Sequence, residues 1–120
     1  MIQIMYEGFI EHLIGTAHKQ RELDQGSYLF HQDDPVRSVF VVSEGSIELT
    51  RHQRDGASIV LQRASAGTIL AEASIYSENY HCDAVVTLPS VVIEWSKRIF
   101  FARLEKDKGF ANLWAAHLAR

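Results

Sequence analysis

The sequence predicts a mainly β domain, a barrel or roll, with a helix before it and helices after it. Three observations carry this. Apolar residues recur at helical spacing only near the two ends of the chain. Between the ends lie short segments rich in β-branched and aromatic residues, separated by turn signals. Several short strands in succession indicate a barrel or roll rather than βαβ units. The chain has 120 residues, 47% of them hydrophobic. That is the length of one domain, with enough apolar material for a real core.

Tyr6, Phe9, Ile10, Leu13, Ile14 and Ala17 fall on one helical face. From Arg21 the pattern shortens. Tyr28-Leu29-Phe30 reads as a strand that enters a turn at Asp33-Asp34-Pro35. Ser38 to Val42 is a nearly continuous apolar strand, and Glu44-Gly45 turns it into the alternating Ile47 to Thr50. Arg54-Asp55-Gly56 is a hairpin turn, because Asp-Gly tolerates the positive φ such turns need. Ser58 to Gln62 returns from it. Gly67 to Ala84 reads as a strand end, a tight turn carrying Glu72, a short helical turn, and a strand entry carrying Cys82 and Asp83. Ala84 to Val86 and Val91 to Trp95 read as two strands around Leu88-Pro89-Ser90. Ile99, Phe100, Ala102 and Leu104 then mark one helix. Phe110, Leu113, Trp114, His117 and Leu118 mark another, with Gly109 near its start.

Composition excludes several classes. Fifteen acidic and twelve basic side chains leave a net charge of −3, with no basic stripe for nucleic acid. The single cysteine, Cys82, rules out an internal disulfide and fits a reducing compartment. Glu7 and Glu11 interrupt the apolar run at the N-terminus, so it does not read as a signal peptide. No stretch reaches transmembrane length. The expectation is a single cytoplasmic domain over residues 1–120. It carries no glycine-rich phosphate loop, nucleophile elbow or supported carboxylate pair, so it does not read as an enzyme.

The order of motifs supports a more specific reading. Gly26 to Asp34 (GSYLFHQDD) is similar to a family opening G-x-x-L-F-x-x-G-D, with Asp33 in place of glycine. Val39 to Leu49 is similar to a V-Y-V-V-x-x-G-x-V-x-L hairpin, and Asp55-Gly56 to the hairpin turn that follows. Gly67 to Ala84 resembles the phosphate-binding cassette of cyclic-nucleotide-binding domains. The version is that of the catabolite activator and fumarate–nitrate (CRP/FNR) family of bacterial transcription regulators. The resemblance covers nearly the whole chain. It implies a double-stranded β-roll, jelly-roll or cupin-like, with an N-terminal helix and C-terminal helices. It also implies that the segment from Gly109 begins a dimerisation helix. No DNA-binding domain follows in this sequence, so contact with DNA would run through a separate helix-turn-helix domain.

In the family the cassette glutamate accepts a bond from the ribose 2′-hydroxyl and an arginine grips the cyclic phosphate. Backbone N–H groups of the short helix complete the anion site. By resemblance, Glu72 takes the place of the glutamate, Ala71 that of the glycine before it, and Ala73 and Ser74 that of the short helix. The Arg-Ser/Thr-Ala ending becomes Cys82-Asp83-Ala84. A guanidinium holds phosphate through paired charge-assisted bonds, and losing each costs about 1.5–3 kcal/mol. Asp83 adds a negative charge. The ligand-binding rim is therefore Glu72, Ala73, Ser74, Cys82 and Asp83, for an effector other than conventionally bound cyclic AMP.

Each of these residues also has a structural reading. Glu72 can tie its turn to backbone N–H groups, and Cys82 can be a small buried hydrophobe rather than a redox sensor. Tyr76 and Tyr80 can stack on a ligand or cap the local core. His31, His81, Cys82 and Asp83 do not form a zinc signature, since Cys82 faces away from His81 and Asp83 on a strand. Haem is not specified, and an iron–sulfur site needs more cysteines. No cofactor or metal is assigned. The leading reading is an effector-sensing regulatory domain that dimerises in its full-length context. The rivals are a docking or dimerisation module without a ligand, and a small cupin-like metal-binding protein.

Overall fold

The computed structural model describes residue 13 and residues 15–119. The helix expected over Tyr6 to Ala17 falls mostly outside them. Leu13 is helical and buried, and Thr16 closes a turn on its carbonyl at 2.9 Å. Ala17 lies beyond that turn.

Five strands follow: β1 (Lys19–Leu23), β2 (Tyr28–Phe30), β3 (Ser38–His52), β4 (Ser58–Ala64) and β5 (Asp83–Ser96). All pairings are antiparallel, in the order β1-β5-β3-β4, with β2 also on β5. Two helices close the chain: α1 (Lys97–Lys106) and α2 (Lys108–Leu118). Ser96 caps α1 by accepting the Ile99 N–H at 3.1 Å, and Asp107 caps α2 by accepting the Phe110 N–H at 3.0 Å.

The structure corrects two expectations about the strands. Glu44-Gly45 is not a hairpin turn, and Leu88-Pro89-Ser90 does not split a strand. β3 and β5 are each continuous and pair from Ser38↔Ser96 to Thr50↔Asp83, with register shifts around Glu44 and Ser46. Gly45 and Ser90 meet at this irregularity. Gly45 has φ 99°, and a Cβ there would lie 2.2 Å from Ser90 Oγ and 2.6 Å from the Pro89 carbonyl. The glycine allows two backbones to approach and bend together. Ser90 Oγ accepts the Ser46 N–H at 3.0 Å, so the bent backbone stays hydrogen-bonded. The Asp-Gly hairpin between β3 and β4 is as expected, with Gly56 at φ 87°.

The long strands serve two cores. Phe40, Val42, Ile47, Leu49, Ala84 and Val86 line the inside of the roll with Phe30, Ala64, Leu70, Tyr80 and Cys82. Val39, Val41, Ile93 and Trp95 alternate to the other face, where Phe100 of α1 and Phe110 and Trp114 of α2 cover them. Residues 39–42 are therefore buried on both faces, which explains their unbroken apolar run. β1 had no strand signal, because its sequence, KQREL, is polar and only Leu23 packs against the core. Among the described residues no helix is long and apolar enough to cross a membrane.

Candidate ligand-binding cassette

The cassette begins where the chain leaves β4. Gly67 N–H bonds to the Val42 carbonyl at 2.8 Å, and Leu70 N–H to the Phe40 carbonyl at 3.0 Å. This lays the segment along β3. Ala71 then turns with φ 52°, ψ 43°, in the left-handed region. That conformation costs a residue with a Cβ about 1 kcal/mol, and it accounts for the glycine that the family pattern has there. Asp33 is the other described non-glycine residue with positive φ, at 75°. It too stands where the pattern has glycine, and aspartate is among the residues that tolerate this region best. A single 3₁₀ turn follows at Glu72–Ser74.

The five predicted rim residues do not share one surface. Ala73 is exposed, and Ser74 is buried with its N–H on the Ala71 carbonyl at 2.9 Å. Glu72 is partly exposed and its carboxylate meets Nε2 of His117 on α2. Cys82 is buried in the roll interior. Burial pushes its thiol above the ordinary range, Asp83 adds to this, and Arg51 opposes it. Such a thiol stays protonated and unreactive at neutral pH.

Asp83 is also buried, and both of its oxygens are occupied. Oδ1 accepts the Gln32 N–H at 2.7 Å, and Oδ2 lies 2.6 Å from His52 Nε2. His52 Nδ1 in turn lies 3.1 Å from the Ser58 hydroxyl. Asp83 thus ties β5 to the β3–β4 hairpin and to the loop after β2. His52, Gln32 and Ser58 carry no local signal in the sequence, because Gln32 and His52 reach Asp83, and Ser58 reaches His52, only once β3 has paired with β4 and β5.

The tyrosines separate. Tyr80 stacks on Phe30 with ring centroids 3.7 Å apart and donates its hydroxyl to the Ser38 carbonyl at 3.1 Å. Burial, reinforced by Glu94, Cys82 and Asp34, raises its phenol well above the ordinary range. Tyr76 is exposed and its hydroxyl oxygen accepts the Trp114 indole N–H at 2.7 Å. Trp114 and His117 stack at 5.6 Å. Two side-chain bonds, Glu72–His117 and Tyr76–Trp114, therefore clamp the cassette to α2. His117 was legible only as a polar member of an apolar stripe. Among the described residues no group of three or more metal-ligating side chains is placed to hold a metal. His31 instead stacks on Tyr28 at 4.6 Å.

The model of the cyclic nucleotide-binding domain family matches residues 20–107. The chain belongs to this family. A comparison with curated proteins found no match. Among solved structures, the sensor domain of the transcriptional regulator DNR from Pseudomonas aeruginosa superposes with a TM-score of 0.82 at 21% identity. That match covers 98% of this chain and 85% of the other. The catabolite activator protein of Thermus thermophilus superposes with a TM-score of 0.81 at 23% identity, over 95% of this chain and 53% of that one. The regulator CLP of Xanthomonas campestris gives 0.72 at 18% identity, over 96% and 56%. This chain thus spans about half the length of two of these regulators. The comparisons establish the β-roll of a cyclic nucleotide-binding domain whose structural neighbours are CRP/FNR-type transcription regulators.

Proposed function

We propose that this domain senses an effector for a CRP/FNR-like transcription regulator and does not bind cyclic AMP in the family's usual way. The placement of Cys82 carries the reading. It puts a neutral thiol in the apolar interior of the roll, at the position where the family pattern has the phosphate-gripping arginine. Glu72 is turned to His117 of α2, which occupies the acceptor that a sugar hydroxyl would use. The clamp between cassette and α2 supplies the output. An effector that competes for Glu72 or displaces Tyr76 changes the hold on α2, the segment expected to continue towards a dimer partner. The effector acts only to the extent that it prefers one of the two states.

Titration calorimetry with cyclic AMP and cyclic GMP tests the first part. No saturable binding is expected at micromolar concentrations. A dissociation constant in the low micromolar range for either nucleotide overturns the reading.

A second reading is a docking or dimerisation module without a ligand. The apolar packing at the cassette favours it, since Leu49, Leu70, Tyr80 and Cys82 belong to one buried cluster in the roll. A thermal-shift screen of nucleotides and metabolites separates the two, because a ligand that binds only the folded state must raise its melting temperature.

A further inference from the structure

A basic feature lies outside the cassette, at the tip of the β3–β4 hairpin. Leu49 closes the interior cluster on β3, and alternation sends Arg51 out on the same face, past the end of that cluster. The β3–β5 pairing ends at Thr50↔Asp83, and Arg51 and Cys82 are the residues just beyond that end on the two segments. Consistent with this, the Arg51 guanidinium opposes the upward push on the Cys82 thiol. On β4 the residue paired with Arg51 is Ile59.

Arg51 and Ile59 border a hollow of about 560 Å³, which Gln32, His52, Gln53, Arg54 and Leu61 also line. The size suits a small molecule. The side chains of Arg51 and Arg54, like those of Arg37 and Arg98, make no ion pair or hydrogen bond among the described residues, whereas Arg21, Arg63 and Arg103 each pair with a carboxylate. The carboxylates Asp83, Glu48 and Asp55 of the hairpin and of its partner strand each have a hydrogen-bond or ion-pair partner of their own. Asp83 holds Gln32 N–H and His52, Glu48 accepts from Arg63 Nε at 3.2 Å, and Asp55 accepts the Ala57 N–H. Ile59 and Leu61 are 42% and 51% exposed, an apolar wall left in water beside two free guanidinium groups.

We propose that this hollow binds a small organic anion, a phosphate or carboxylate on a flat apolar body, with Arg51 as its principal cation and Ile59 and Leu61 as the apolar wall. Arg54 and Gln32 supply further donors. The cassette turn Glu72–Ser74 contributes nothing to the site. Only the regulatory meaning of the site rests on the sensor reading; the binding itself does not.

Chemical-shift titration of the whole chain with phenyl phosphate, benzoate and inorganic phosphate tests it. Phenyl phosphate or benzoate is expected to give saturable shifts centred on Arg51, Ile59 and Leu61. The better of the two identifies the anionic head. Inorganic phosphate, lacking the apolar body, is expected to bind more weakly. Arg51→Gln, an exposed change that leaves the core intact, is expected to weaken binding about tenfold. Glu72→Gln is expected to leave it unchanged. No saturation by either aromatic anion, undiminished binding in Arg51→Gln, or loss of binding in Glu72→Gln overturns the proposal. Cyclic AMP binding that depends on Glu72 but not on Arg51 instead overturns the cassette reading and leaves this site to stand or fall on the aromatic anions.

Discussion

Cys82 and Tyr80 are neutral acids kept neutral by the fold. Each has its proton affinity raised, chiefly by burial, so each holds its proton to a higher pH in the folded chain than in the unfolded one. The folded state then binds more protons than the unfolded state at alkaline pH, and the slope of stability with pH is negative there. Stability from these groups is fully present below the unfolded thiol value, about 8.5, and is lost as pH rises above it. Denaturant melts at pH 7 and above pH 9 are expected to show this fall, and Tyr80→Phe is expected to lessen it at the upper end. Cys82 is expected to react with a thiol reagent only as fast as the protein opens. Rapid labelling of the native protein at pH 7 would contradict the burial argument. The identities of Cys82 and Asp83 were legible in the sequence as a break in a pattern. Their destinations were not: one side chain is enclosed in the roll, and the other is held by Gln32 and His52 from two distant segments.

The same contrast holds among the elements. The apolar run 39–42, the Asp55-Gly56 hairpin and the two C-terminal helices were legible because their signals are local: residue type, spacing and turn chemistry. The continuity of β3 and β5 was not, because Glu44-Gly45 and Leu88-Pro89-Ser90 carry the composition of turns. They stay in strands because each bends against the other, Gly45 against Ser90. Gly45→Ala is accordingly expected to destabilise the domain by roughly 3 kcal/mol or more, from positive φ and overpacking together. Denaturant unfolding measures this. A loss below about 1 kcal/mol would show that the bend tolerates a Cβ. α2 teaches the complementary lesson. About ten residues of helix are marginal alone, and this one is held by Phe110 and Trp114 in the second core and by the Glu72 and Tyr76 contacts.

For the whole molecule, the decisive feature is that one pair of bent strands carries two cores. Phe100 sits at the centre of the second, fully buried, with Phe110 and Trp114 edge-on at 5.4 and 5.2 Å. Phe100→Ala is expected to cost about 3–5 kcal/mol, a large share of the roughly 5–15 kcal/mol that holds a domain of this kind. A melting temperature within a few degrees of the parent would show that α1 and α2 are dispensable to the roll. By itself the sequence determined the mainly β class, most of the element order, the family likeness and the missing cassette cation. Those depend on residue identity and short-range spacing, which a linear chain displays. Only the tertiary structure decided that Glu72 answers to His117, that Asp83 is sequestered by His52, and that Arg51 comes close enough to Cys82 to act on its thiol, at the edge of an open hollow. These pairs are separated by 31 to 45 residues, and antiparallel register and helix docking, not local preference, bring them together.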